Sequence, residues 1–360
     1  MNELTLIVIF LISIINIFFI IIIKKRVLSK NETRDKELNF SIVVAAKNEE
    51  ESISSLIDSL KNVNYPKDKF EVIIADDDSL DNTYQKVRDQ IKELTNFAIY
   101  KADEKELPAK KGALQFAISK AENPFILITD ADCIVSSNWL GYYANAFNND
   151  FDFLFGIAPF EQGKILVNKV SCFENLRTSI LTFSLALAGL PYSASARNFG
   201  FRKSAFEKLD GYKNTTETLS GDDDLLLRQA VKNEMKIGII LNKDCHTISK
   251  AKTSFYQYFK QKSRHTKTSL YYLSKHKIIL GFWHILNIFL LLSIVLVIFS
   301  FKFIFIFLAK IIWDFIVVFS LQKTFMYKFS FGKIFYLQLL YEVFIIINFF
   351  NALTKKEEWK

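Results

Sequence analysis

The 360-residue sequence predicts an α/β domain facing water and carried by membrane helices, one span before the domain and about three after it. Three observations carry this reading. Leu4 to Ile23 contains no charged residue, enough helix to cross a hydrocarbon core of ~30 Å. Three further apolar stretches, Ile278 to Ser300, Phe303 to Leu321 and Ile334 to Leu353, close the chain. Between them, residues 38–250 alternate short β-branched runs with helical periodicity, the pattern of a largely parallel sheet covered on both faces.

The elements of that domain follow in order. Phe40 to Ala46 (FSIVVAA) is a buried strand, and Glu50 to Leu60 a helix with Ile53, Leu56, Ile57 and Leu60 on one face. Phe70 to Ala75 is a second strand and Asp81 to Leu94 a helix built on Val87, Ile91 and Leu94. Phe97 to Tyr100, Lys111 to Ala121 and Phe125 to Thr129 read as strand, helix and strand. Further on, Arg197 to Lys203 and Leu209 to Tyr212 form a strand, helix and turn. Thr178 to Leu190 is apolar but short and stopped by Pro191, so an interfacial helix and a core helix of the domain both fit.

The spans carry their own signals. Lys24, Lys25 and Arg26 directly follow the first run, which places that side in the cytoplasm. A cleaved signal peptide would put its positive charges first. Lys310 and Asp314 are four apart and share a helix face, so they can neutralise one another inside a bundle; a polar path for an acceptor is the alternative. The last apolar segment either crosses, lies re-entrant or lies interfacial, a crossing being at odds with Lys355, Lys356 and Lys360 beyond it. Residues 251–277 form an amphipathic interfacial segment that interleaves lysines and aromatics, suited to membrane lipids. The basic excess of +8 is thus assigned to membrane flanks, with no nucleic acid as partner.

Composition narrows the chemistry. The chain is 50% apolar with only 11 Gly and 5 Pro, which excludes a disordered or collagen-like chain. Cys133, Cys172 and Cys245 lack the spacing of a thiolate zinc site or disulfide scaffold. All four His lie beyond residue 245, so imidazole ligands are absent from the first two thirds. What the sheet ends offer instead is carboxylate. Asp76-Asp77-Asp78 follows the second strand, and Asp130-Ala131-Asp132 follows FILIT. Ligands of such sheets bind at the carboxyl ends of strands, and clustered hard oxygens suit Mg²⁺ or Mn²⁺ sharing substrate phosphates. A third cluster, Asp222-Asp223-Asp224, opens a helix whose cap needs only one carboxylate. Gln261, Arg264 and His265 share a helix face and offer an amide, a guanidinium and an imidazole, suited to a diphosphate.

The ordered set SIVVAAKNEE, ADDDSLDNT, KKGAL, TDADC, RNFGFRKSAF, SGDDDLLLR and QKSRH resembles the family 2 glycosyltransferases of GT-A fold. The likeness extends to membrane-bound members akin to cellulose, chitin, hyaluronan and poly-N-acetylglucosamine synthases, and covers about Asn39 to Lys267. It implies a Rossmann-like GT-A domain and inverting transfer from a nucleotide-diphosphate sugar, expected to be UDP-linked, with a divalent cation. Ala45, Glu49 and Asp77 would lie against the nucleotide, with Asp77 at the base, and Lys110 near the donor. Asp130 and Asp132 match the metal-binding DxD pair, with Asp132 the direct ligand. The general base is Asp223 if GDD is aligned on the family's GED, or Asp222 by spacing back from Arg228. Gln261 and Arg264 match QxxRW, with Arg264 facing the diphosphate. His265 replaces the Trp that supports the acceptor sugar, and Asp78 stands where many relatives carry Gly.

The sequence therefore predicts a plasma-membrane glycosyltransferase with a cytoplasmic catalytic domain. Its acceptor is expected to be a lipid-linked or short glycan, a processive synthase being the alternative. A nucleotidyltransferase leaves the third and fourth clusters without a use. A non-catalytic scaffold or transporter leaves all four unexplained.

Overall fold

The computed structural model describes residues 3–28, 37–103 and 105–354; Lys355, Lys356 and Lys360 lie outside them. The chain begins with α1 (Glu3–Leu28), β1 (Phe40–Ala46), α2 (Ile53–Lys61), β2 (Phe70–Asp76), α3 (Thr83–Ile91), β3 (Phe97–Lys101) and α4 (Ala109–Lys120). It continues through β4 (Phe125–Ile128), β5 (Cys133–Val135), α5 (Trp139–Phe147), β6 (Phe153–Gly156), α6 (Leu166–Leu187), β7 (Phe199–Arg202) and α7 (Lys203–Lys208). It ends with α8 (Asp224–Lys232), β8 (Ile237–Ile240), β9 (Thr247–Ser249), α9 (Phe255–Ser269), α10 (Ser274–Leu292), α11 (Phe303–Leu321) and α12 (Phe331–Thr354). Two compact units result. One takes the described residues of Lys30–Glu161 and Pro191–Lys250, the other those of Met1–Ser29, Gln162–Leu190 and Ala251–Lys355.

The first unit is a seven-stranded sheet in the order β3-β2-β1-β4-β7-β6-β8. Strands β3, β2, β1 and β4 are parallel; β7 runs antiparallel to β4 and β6, and β6 is parallel to β8. A small antiparallel pair, β5 with β9, completes it. The parallel strands are near-continuous Val, Ile and Ala because helices cover both faces. Ile42, Val44, Leu56, Ile57, Val72, Val87, Leu127 and Trp139 belong to one buried cluster. Since β2 lies on one side of β1 and β4 on the other, the chain switches direction at β1, and the crevice for a ligand opens at the carboxyl ends of β1 and β4.

One residue locks the antiparallel half. Asn198, fully buried before β7, accepts from Trp139 Nε1 (2.8 Å) and Tyr143 Oη (2.9 Å) and donates to the carbonyls of Ile157 (2.8 Å) and Cys245 (3.1 Å). Beside it Gly200 must lack a side chain, because a Cβ would fall 2.4 Å from Leu127 Cδ2 and 2.8 Å from Tyr143 Cε1.

The second unit is helical. Thr5–Leu28, Ser274–Leu292, Phe303–Leu321 and Phe331–Thr354 are long and apolar enough to cross a membrane. The second of these stops eight residues short of Ser300, where Ser293 Oγ bonds the Leu290 carbonyl at 2.6 Å and a short 3₁₀ turn, Val295–Ile298, follows. Helix α6 groups with these helices, so the unit carrying the sheet is interrupted between Glu161 and Pro191, whereas the sequence reading ran it unbroken from 38 to 250. The reason is chemical. Phe173 meets the rings of Phe329 and Tyr341, Phe183 meets Phe325, and Arg177 pairs with Asp314 of α11 at 3.0 Å. Lys310 pairs with the same Asp314 at 2.7 Å, the i,i+4 contact its spacing predicts.

Candidate active site

Ala45 and Ala46 end β1, level with Ala75 and Asp76 of β2. The pairing runs one step further, Asp77 N–H donating to the Ala46 carbonyl at 2.8 Å. The two loops beyond are laced together. Asn48 Oδ1 accepts from Leu80 N–H (2.8 Å), Ser79 Oγ accepts from Asn48 N–H (3.0 Å), and Glu49 N–H donates to Thr83 Oγ1 (2.8 Å). Glu49 also accepts from Ser52 Oγ at 2.7 Å on its carboxylate, and its carbonyl takes the N–H groups of Ser52 (3.0 Å) and Ile53 (2.9 Å) where α2 starts. Asp78 turns the chain at φ 54°, the left-handed region that glycine enters most freely and that Asp tolerates better than most side chains.

Asp77 is 1% exposed and is met by two lysines, Lys47 at 3.7 Å and Lys105 in a close ion pair. Sequence reasoning missed both. Lys47 directly follows β1 and could have been found as a strand-end residue, but Lys105 lies in a charged loop with nothing local to set it apart.

A second constellation lies at the ends of β4 and α4. Lys110 Nζ lies 2.7 Å from Asp130 Oδ1 and 2.7 Å from Asp222 Oδ2. Burial opposes its charge, but Asp130 and then Asp222 outweigh burial and hold the ammonium well above its ordinary range. It therefore stays charged and lets two carboxylates approach without repulsion. The next residue, Lys111, donates to the carbonyls of Thr215 and Thr218, which ties α4 to the loop leading into the acidic triple. Arg228 secures the same loop through Glu217 at 2.7 Å.

The three carboxylates of that triple do different work. Asp224 accepts from Ala194 N–H at 3.1 Å. Asp223 caps α8, taking Asp224 N–H at 2.7 Å on one oxygen and Ala196 N–H at 2.8 Å on the other. Burial, then the neighbouring Asp224 and Asp222, raise its proton affinity well above the usual carboxylate range. Asp222 is the member engaged by Lys110. Asp132, half-buried, stands one residue before the buried Cys133, whose Sγ is 3.7 Å from Asp132 Oδ1.

The fit of a divalent cation can be judged from these donors. Among the described residues no three His, Cys, Asp or Glu side chains converge to hold an ion by themselves. The DxD carboxylates supply hard oxygen only, which suits Mg²⁺ or Mn²⁺ completed by substrate phosphates rather than an all-protein cage.

The remaining predicted residues sit on α9 in the helical unit. Gln261 and Arg264 are half-buried and His265 is exposed, all within one turn. The structure thus gathers Ala45, Glu49 and Asp77 at one strand end and Lys110, Asp130 and Asp222 at another within the sheet unit, and holds Gln261, Arg264 and His265 together on one helix.

Residues 41–210 match the profile of Glycosyl transferase family 2. A β-monoglucosyldiacylglycerol synthase of Nostoc sp. is 34% identical over 110 residues, 31% of this chain and 24% of that protein. A probable glycosyltransferase of Sulfolobus acidocaldarius is 39% identical over 102 residues, 28% of this chain and 22% of that protein. The chain thus spans about a quarter of the length of these curated relatives. A mannosyltransferase from Pyrobaculum calidifontis, solved with GDP-Man and Mn²⁺, superimposes with a TM-score of 0.61 over 97% of this chain and 99% of that one, at 14% identity. Residues 41–210 thus match a family 2 glycosyltransferase profile, and the chain shares its overall fold with that mannosyltransferase.

Proposed function

We propose that the chain is an inverting glycosyltransferase that moves a sugar from a nucleotide-diphosphate sugar, UDP-linked by the family resemblance, to a lipid-linked or short glycan acceptor at a membrane surface. One observation carries the reading. Lys110 joins Asp130 of the DxD pair to Asp222 of the acidic triple, bringing three distant motifs to one point at the ligand edge of the sheet. Ala45, Glu49 and Asp77 are assigned the nucleotide, with Lys47 and Lys105 supplying positive charge beside Asp77. Asp132, with Asp130, would hold Mg²⁺ or Mn²⁺ through the donor's diphosphate; when bound, the ion stabilises the charge of the departing diphosphate. Gln261 and Arg264 are assigned that diphosphate as well, a guanidinium being suited to paired phosphate oxygens.

Asp223 is assigned the proton of the attacking hydroxyl. Two backbone N–H groups orient it, and its raised proton affinity suits a base, whereas Asp222 is held in an ion pair with Lys110. A single displacement then inverts the anomeric centre. A lipid acceptor is supported by the four candidate spans and by the Nostoc relative, which is named for a glucosylated diacylglycerol. His265 offers less flat surface than the family's Trp, which favours one or a few sugars per acceptor.

Purified protein given UDP- and GDP-sugars with Mg²⁺ or Mn²⁺ should release nucleoside diphosphate, with short products by mass spectrometry. Asp132→Ala should lower that release by about 10²–10³-fold, the loss typical of one electrostatic contact to the transition state. Full activity of wild type in excess EDTA would falsify the metal assignment.

The basic cluster at the C-terminal end of α1 supports a cytoplasmic catalytic domain in the plasma membrane. Leu80 is 93% exposed and the three native cysteines are buried, so Leu80→Cys creates one reactive thiol. It should resist an impermeant maleimide in intact cells and react after permeabilisation. Labelling from outside would reverse the orientation.

A further inference from the structure

Helix α9 carries the proposed diphosphate-binding residues, and its rotation about its own axis decides where they point. One side chain grips it twice. Glu174 of α6 accepts a short hydrogen bond from Tyr258 Oη on one oxygen, and its other oxygen lies 3.3 Å from Lys262 Nζ. Tyr258 and Lys262 are four residues apart, so the two contacts fall one turn from each other on the same face of α9. The two contacts hold that face of α9 to α6, alongside the packing of Phe255, Tyr258 and Phe259 on Phe344 of α12.

The grip is sheltered. Tyr258 is 1% exposed, and its ring meets Phe255 and Phe259 of α9 and Phe344 of α12 at centroid distances of 6.4, 5.1 and 6.0 Å. The side chains of Glu174 and Lys262 are 14% and 18% exposed. Burial, then the charge of Glu174, push the Tyr258 phenol far above its ordinary range, so it remains a donor to the carboxylate. At 3.6 residues per turn, Gln261 and Arg264 lie about one sixth and one third of a turn round the axis from Tyr258. Any roll of α9 displaces both.

We propose that Glu174 is a positioning residue for transfer, fixing the roll of α9 through Tyr258 and Lys262 and thereby the aim of Gln261 and Arg264. This rests on the proposed role of Arg264 toward the diphosphate.

A double-mutant cycle on the full chain in detergent tests it, reading kcat and donor KM from nucleotide release, with the melting temperature as control. Glu174→Ala and Tyr258→Phe should each raise donor KM or lower kcat/KM by about three- to tenfold, the worth of one or two hydrogen bonds. The conservative Glu174→Gln, which keeps an acceptor for Tyr258 but loses the charge on Lys262, should fall between wild type and Glu174→Ala. The decisive outcome is non-additivity: in a Gln261→Ala/Arg264→Ala background, Glu174→Ala should change kcat/KM by less than twofold, because neither side chain is left to aim. A purely structural Glu174 would add its full effect in both backgrounds, in step with a lower melting temperature, and that result overturns the proposal. So does wild-type kinetics in Tyr258→Phe, which keeps the ring packing should Glu174→Ala fail to fold. If Arg264→Ala itself leaves donor KM and kcat unchanged, the diphosphate assignment falls and the positioning role falls with it; a defective Arg264→Ala with a Glu174→Ala that is silent in the otherwise wild-type chain, or additive when the two are combined, overturns the positioning role alone.

Discussion

Asp223→Asn should lower turnover by about 10²–10⁴-fold, the usual worth of a positioned general base, with donor affinity close to that of wild type. The amide keeps the volume and one acceptor for the N–H groups of Ala196 and Asp224, so the start of α8 should persist. The residual rate should lose its acid limb. In wild type that limb should lie above the ordinary carboxylate range, because burial and two flanking carboxylates raise the proton affinity of Asp223, and turnover grows as it ionises. The same shift fixes the sign for stability. A carboxyl whose folded-state pKa is raised favours the fold fully below the unfolded value of about 3.9, and that contribution is lost as pH rises through the folded-state value. Asp223→Asn should therefore flatten the decline in stability over that window. Asp222→Asn is the control. It should disturb Lys110 and Asp130 and raise donor KM, with a smaller loss in kcat. A near-normal kcat in Asp223→Asn beside a collapsed kcat in Asp222→Asn would transfer the role of base to Asp222.

The second large effect concerns stability within the helical unit. Lys310 is fully buried and donates to Asp314 Oδ2 (2.7 Å), Glu342 Oε1 (3.1 Å) and Asn287 Oδ1 (2.8 Å), while Arg177 takes the other oxygen of Asp314. One cation thus ties α10, α11 and α12 together, and Arg177 joins α6 to them. Lys310→Met leaves two carboxylates with a single guanidinium among apolar helices, and should cost about 3–5 kcal/mol, seen as a lower melting temperature in detergent. Replacing Arg177, Lys310, Asp314 and Glu342 together by apolar residues of similar size should recover much of that loss, since no charge is then left unpaired. A single variant that melts within a degree or two of wild type would show that the network contributes little.

Much of this protein is legible in its sequence. The runs FSIVVAA, FEVIIAD and FILI name three central strands because a strand covered on both faces must be apolar throughout, and a nearest-neighbour pattern records that directly. The spans follow from the same local arithmetic of apolar length. The carboxylates at the ends of β2 and β4 are legible because the fold puts ligands at strand ends, and chain order alone locates those ends. The short strands β5, β6, β8 and β9 are too brief to leave a period, and their existence depends on partners far along the chain.

What only tertiary structure decided is pairing across sequence distance. The resemblance puts Lys110 near the donor, but only the fold sets it between Asp130 and Asp222. Asp222, Asp223 and Asp224 are indistinguishable as letters, yet the fold gives one an ammonium, one a helix cap and one a loop N–H. Helix α6 lies inside a stretch that reads as one unbroken domain, and only the Arg177–Asp314 pair and its ring contacts assign it to the helical unit. Local sequence encodes the hydrophobic period of each element, because burial acts residue by residue. Which charge meets which is encoded by the closure of the whole chain, because an ion pair is worth forming only where burial has already removed the water that would screen it.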